Sequence, residues 1–106
     1  MPDYCTVLNT CPDRETGELI ARLLVQQRVA ACVNLLDPIT SIYRWQDGIE
    51  EERETLLIIK TKKEHYQKIE ALIQQHHPYE VPEVICLDIT AGAERYLSWI
   101  AQSTQP

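Results

Sequence analysis

An α+β fold in the order β, α, β, β, α, β with a short terminal helix is what this sequence predicts, and three observations carry it. Runs with strand character recur at residues 4–9, 29–45, 54–60 and 84–89. Apolar stripes at 3.6-residue spacing separate the first run from the second and the third from the fourth. Between the second and third lies Asp47-Gly48, flanked by Ile42, Tyr43, Trp45 and Ile49, a dipeptide suited to the positive φ of a type I′ hairpin turn.

The first strand, from Tyr4 to Asn9, stops at Thr10-Cys11-Pro12-Asp13. Asp13 is placed to cap a helix, with Glu15 favourable in its first turn. Leu19, Ile20, Leu23 and Leu24 then form one stripe, predicting a helix to about Gln27 that Gly17 weakens in its first half. Val29 to Leu36 is almost wholly apolar, and after Asp37-Pro38 the extended pattern resumes from Ile39 to Trp45. This predicts one long strand with a bulge at the proline. The returning strand passes Glu54 and ends near Lys60. Thr61 with Glu64 fits a capping box for a second helix carrying Tyr66, Ile69, Leu72 and Ile73 and ending near Gln75. His76-His77-Pro78 breaks it. A fourth strand over 84–89 and a last helix after Gly92, holding Tyr96, Leu97, Trp99 and Ile100, complete the chain.

That order is the split pattern of ferredoxin-like folds, with antiparallel strands arranged 4-1-3-2 and both helices on one face. One feature exceeds it. A sheet covered on one side should alternate, yet residues 56–59 and 84–87 are apolar throughout, so both faces of those strands want burial. The second face is expected to pack against other subunits; the alternative is a monomer with its terminal helix folded beneath the sheet.

The chain has 106 residues, 44% hydrophobic, ordinary usage for a single domain over 1–106. No apolar run approaches the roughly 20 residues needed to cross a bilayer, and residues 1–4 show no basic segment leading into an apolar stretch. No membrane is expected as a partner. A formal net charge of -6 repels phosphate backbones, so nucleic acid is not expected either. Cys5, Cys11, Cys32 and Cys86 are widely spaced without a CxxC, which fits reduced thiols and a cytoplasmic location.

Strand order brings the start of strand 4 and the preceding loop to the end of the sheet that holds Asn9, Thr10 and Cys11. Cys11, His76 and His77 are therefore the Cys and His side chains expected to converge, a donor set suited to Cu(II) or Zn(II), with no obligatory cofactor. Cys11 near a helix start should have a lowered pKa. The other reading of the His pair is a helix terminus whose rings meet free carbonyls. Cys5, Cys32 and Cys86 read as small core hydrophobes and His65 as a surface residue. Glu50, Glu51, Glu52 and Glu54 form an exposed acidic stretch that attracts cations loosely. Tyr43 and Trp45 alternate along the hairpin and are expected to pack against a neighbouring subunit. No Gly-rich phosphate loop, GxSxG elbow or HExxH helix occurs, and no enzyme is expected.

Ala30-Ala31-Cys32-Val33-Asn34, then Ile39, Ser41, Tyr43, Trp45 and Gly48, then Leu57 to Thr61, then His77-Pro78-Tyr79-Glu80-Val81-Pro82-Glu83, and finally Tyr96, Leu97, Trp99 and Ile100 together resemble the CutA proteins. The likeness covers nearly the whole chain. It implies a cytosolic homotrimer with a ferredoxin-like subunit, similar in architecture to PII signalling proteins and linked to tolerance of copper and other divalent metals. In some bacterial members copper ligation is assigned to a Cys and a His pair. The pair matches His76 and His77, while the Cys position falls on Asn9, a poor soft-metal ligand, with Cys11 two residues on as a substitute. The likeness also raises a second reading, a trimeric module that binds a small molecule or partner protein in clefts between subunits. An acylphosphatase-like enzyme would need a Gly-rich phosphate loop after strand 1, and an RNA-binding sheet would need aromatics where residues 56–59 stand; neither is present.

Overall fold

The computed structural model describes residues 3–106. In chain order it contains β1 (Tyr4–Cys11), α1 (Arg14–Gln26), β2 (Cys32–Trp45), β3 (Gly48–Lys62), a 3-10 turn over Lys63–His65, α2 (Tyr66–His76), β4 (Val84–Ile89) and α3 (Glu94–Ser103). The strands form one antiparallel sheet in the order β2-β3-β1-β4, the arrangement the sequence predicts.

Directly paired residues share a face of a sheet, so the register assigns the faces. Val33, Ile59, Val7 and Cys86 lie in one row and belong to the core, where Ile20, Leu24, Ile69 and Ile73 of α1 and α2 cover them. Gly17 permits the closest approach of α1: a Cβ there would stand 3.1 Å from Leu57 Cδ1 and 3.3 Å from Thr55 Cγ2. The glycine that weakens the helix is the position where helix meets sheet.

The neighbouring row is Cys32, Lys60, Thr6 and Leu87, which faces away from α1 and α2. On that face Leu36, Ile85 and Leu87 are exposed while Leu56 and Ile58 are half-buried. α3 packs on β3, and Ile100 is fully buried outside the main core cluster. The terminal helix thus covers part of the outer face and leaves the β4 side open.

Four local expectations are corrected. Val29 to Ala31 is not strand. Arg28 takes φ 60°, its N–H bonds to Val25 O at 3.0 Å and the Val29 N–H to Leu24 O at 3.1 Å, a Schellman ending sealed by buried Leu24 and Val29. Thr61 caps no helix. It stays in β3, fully buried, and its hydroxyl donates to Val29 O at 2.6 Å. The hairpin turn is shifted by one residue. Trp45 pairs with Gly48, so Gln46 (φ 47°) and Asp47 (φ 66°) take the two positive-φ positions. Finally, β1 runs on to Cys11 because Thr10 and Cys11 continue the ladder against Leu56 and Thr55. The register shift expected at the proline is present, between Leu36 and Ile39.

Only Thr55 to Lys62 of β3 pair with β1, so the rest of the hairpin has no strand partner outside its own two strands. It projects as an arm, and the molecule measures 44 × 25 × 22 Å.

Candidate functional site

One side of this arm, from Glu54 at its base to Trp45 beside the turn, and the loop over residues 77–83 border a cleft of about 890 Å³. Glu50, Glu52, Glu54, Glu80 and Glu83 line it together with Tyr43, Trp45 and Tyr79, and no Lys or Arg does. Strand alternation explains the first three carboxylates, since every second residue of β3 points to the same side. Glu54 is only 6% exposed and accepts a hydrogen bond from the Tyr79 hydroxyl at 2.8 Å. The Tyr43 hydroxyl donates to Glu52 Oε1. Burial, then the hydrogen bond to Glu54, pushes the Tyr79 phenol well above its usual range; the bond to Glu52 pushes Tyr43 up to about 12. Both phenols therefore remain protonated donors that orient carboxylates, and the cleft presents negative charge without a basic counterweight.

Cys11 and His77 both lie at this end of the sheet, where Cys11 is bonded to Asn9 and His77 to the backbone. His77 is 8% exposed. Its Nδ1 accepts from the Tyr79 N–H at 3.1 Å and its Nε2 lies 2.8 Å from Thr10 O. A backbone N–H can only donate and a carbonyl can only accept, so the proton sits on Nε2 and both ring nitrogens are engaged. The ring also packs on Tyr79, with centroids 4.8 Å apart. Cys11 is fully buried, and its thiol donates to Asn9 Oδ1 at 3.3 Å. Its pKa is not lowered by the helix start as the sequence suggested. Burial, with Asp13 and Glu54 adding to it, pushes the thiol up to about 12. His76, the last residue of α2, is exposed. Among the described residues no three His, Cys, Asp or Glu side chains stand together in a group able to hold a metal ion.

Asn9 is the residue that sequence reasoning undervalued. Fully buried, it donates from Nδ2 to Glu83 O at 2.8 Å while its Oδ1 takes the Cys11 thiol. With His77 on Thr10, it staples both ends of the 77–83 loop to β1. The available signal was an amide inside a strand whose neighbours are apolar, since a buried amide needs partners for both its ends.

Comparison with known proteins decides the family. Residues 5–103 match the model of the family described as CutA1 divalent ion tolerance protein. The chain belongs to this family. It is 43% identical over 98 residues to the Thermus thermophilus protein named divalent-cation tolerance protein CutA, covering 92% of this chain and 95% of that one. It is 45% identical over 96 residues to the human protein named CutA, covering 91% of this chain and 54% of that one. The chain thus spans about half the length of the human, mouse and Arabidopsis relatives. The solved structure of CutA from Xylella fastidiosa superposes with a TM-score of 0.95 at 40% identity, covering 97% of this chain and 99% of that one. The α+β architecture is therefore that of the CutA1 family. Among the described residues no helix is long and apolar enough to cross a membrane.

Proposed function

We propose that this chain serves divalent-cation tolerance as a homotrimer and gathers divalent cations in the acidic cleft between its hairpin arm and the 77–83 loop. The observation that supports this reading is the lining itself, five carboxylates with no basic residue. Carboxylates in a partly closed cleft raise the local cation concentration, and oxygen donors suit hard and borderline divalent ions. The names of the relatives support the same role. The role is one of binding, with no catalytic step.

Cu(II) or Zn(II) on His76, His77 and Cys11 is the alternative seat, and the geometry attaches a cost to it. Recruiting His77 breaks a ring hydrogen bond, and recruiting Cys11 removes a proton from a thiol held near 12. His76 is the open donor of the three. Calorimetric titration with Cu(II) and Zn(II) separates the seats, using the wild type, Glu50→Gln/Glu52→Gln and His76→Ala. Loss of affinity in the carboxamide variant supports the cleft. Loss in His76→Ala alone moves the seat to the imidazole, and unchanged affinity in both removes each from this role.

Assembly as a trimer is supported by the open apolar outer face, Leu36, Ile85 and Leu87, and by an arm that leaves Ile42, Trp45 and Ile49 exposed. Light scattering should give three chain masses, and one chain mass would end the idea. All four cysteines are free thiols, which supports the cytoplasm as the compartment. One observation favours the second reading, a small molecule bound between subunits: a cleft of about 890 Å³ with Tyr43, Trp45 and Tyr79 in its wall has the size and aromatic lining of a ligand site. Nucleotides added to the same titrations test it.

A further inference from the structure

Two of the cysteines that read as core filler stand side by side. Cys86 pairs directly with Val7, and Cys5 precedes Val7 by two residues on the same strand, so Cys5 and Cys86 occupy one face of adjacent strands as diagonal neighbours. Both belong to the core side of the sheet. The register thus places the two side chains next to each other, and Asp88, the direct partner of Cys5, with Lys63 paired to it, supplies the charged groups nearby. Cys5 is fully buried, whereas Cys86 is partly exposed on β4, the edge strand, and gives a route from solvent.

Distance decides what such a pair can do. Diagonal positions in an antiparallel ladder are about 7–8 Å apart. A disulfide needs Cα atoms within about 7 Å and cannot close here without moving the backbone. A linear bridge through a metal, with each sulfur about 2.3 Å from the ion, asks for sulfurs about 4.6 Å apart, which diagonal side chains reach. Two thiolates are the donor set of soft monovalent cations.

We propose that Cys5 and Cys86 form a two-coordinate site for a soft, thiophilic cation such as Cu(I) or Ag(I), separate from the acidic cleft and serving a different class of ion. Each sulfur gives up its proton as it donates an electron pair to the metal, so two protons leave to solvent for each cation bound. The bis-thiolate that forms carries one negative charge, which the Lys63 ammonium faces. Lys63 is itself anchored to Asp88 at 2.6 Å. In the absence of metal, burial and the neighbouring Cys86 hold the Cys5 thiol protonated, pushed up to about 12, so binding carries the same deprotonation cost as at Cys11, and only a strongly thiophilic cation offsets it.

The experiment titrates the wild type, Cys32→Ser, Cys86→Ser and Cys5→Ala with Ag(I), and with Cu(I) in competition with bathocuproine disulfonate. The expected result is one equivalent per chain in wild type and Cys32→Ser, with thiolate-to-metal absorption in the ultraviolet, and affinity at least 100-fold lower in the other two. Cys86→Ser, at a partly exposed edge position, carries the test alone if Cys5→Ala does not fold. Undiminished affinity in Cys86→Ser, loss of uptake in Cys32→Ser, or no uptake by the wild type under competition overturns the proposal. So does recovery of a Cys5–Cys86 disulfide peptide after diamide treatment, which would show that the pair closes without a metal.

Discussion

Replacing His77 by Ala should destabilise the fold by about 2–4 kcal/mol, while the same change at His76 should stay within about 0.5 kcal/mol. The imidazole of His77 satisfies Thr10 O at 2.8 Å and the Tyr79 N–H at 3.1 Å, at a site 8% exposed. Truncation leaves both groups without a partner, at about 1–3 kcal/mol for a well-buried one and less for Tyr79, which keeps some access to solvent. Loss of the ring contact with Tyr79 adds about 0.5–1.5 kcal/mol. His76 is exposed, and nothing in the structure ties its ring to the fold. Guanidinium unfolding, run with chelator and at one fixed chain concentration because assembly contributes to stability, gives both numbers. A pair that existed only to hold metal would show no stability loss at either position in chelator. Equal midpoints for His77→Ala and His76→Ala would therefore refute the stapling argument.

Arg28→Gly should stabilise the protein by about 0.5–1 kcal/mol, because φ 60° strains a residue with a Cβ; an unchanged thermal midpoint would remove the strain. Asp13 accepts from the Thr16 N–H at 2.8 Å, and that bond lowers its pKa below the ordinary 3.8. The stability it contributes is present above pH 3.8 and is lost as pH falls through the lower folded value. Asp13→Ala should accordingly melt earlier than wild type at pH 7, and the gap should close at pH 2. Trp45, 46% exposed on the arm, should lie at or near a subunit contact, so Trp45→Ala should weaken assembly; a mutant that keeps its trimer mass down to nanomolar dilution would make the ring a surface or cleft residue instead.

What the sequence made legible was whatever hydrophobic period alone controls. The strand over Val84–Ile89, the stripe of α1 and the strand order all follow from which positions must be buried. Failures came where two local signals competed and tertiary pairing chose. Thr61-x-x-Glu64 is a good capping box, but extending β3 against Tyr4 and Cys5 gives Thr61 a buried carbonyl to bond, and the helix starts later. Asp47-Gly48 is a good turn, but the pairing of Tyr43 with Glu50 fixes the count of residues in the loop, and Gln46 takes the positive φ instead of Gly48. The end of α1 was placed within a residue, but the turn after it was missed and residues 29–31 were read as strand, because its left-handed position holds Arg28, where glycine is the usual marker.

The site was legible by address and not by partner. Topology alone brings Cys11 and His77 to one end of the sheet, and they are there. In that place the thiol and the imidazole also have hydrogen-bond partners within the fold, and Asn9 is central to them. Asn9 offers both an acceptor and a donor, so it occupies the Cys11 thiol with one end and the Glu83 carbonyl with the other. This draws the loop down until His77 meets Thr10 O, and burial then keeps the thiol protonated. In this structure Cys11 and His77 belong to a hydrogen-bonded clasp, and the clasp shapes one wall of the acidic cleft through Tyr79 and Glu83. If the proposed cation seat in the cleft holds, these residues bear on it by positioning Tyr79 and Glu83, so His77→Ala should weaken cation uptake as well as stability.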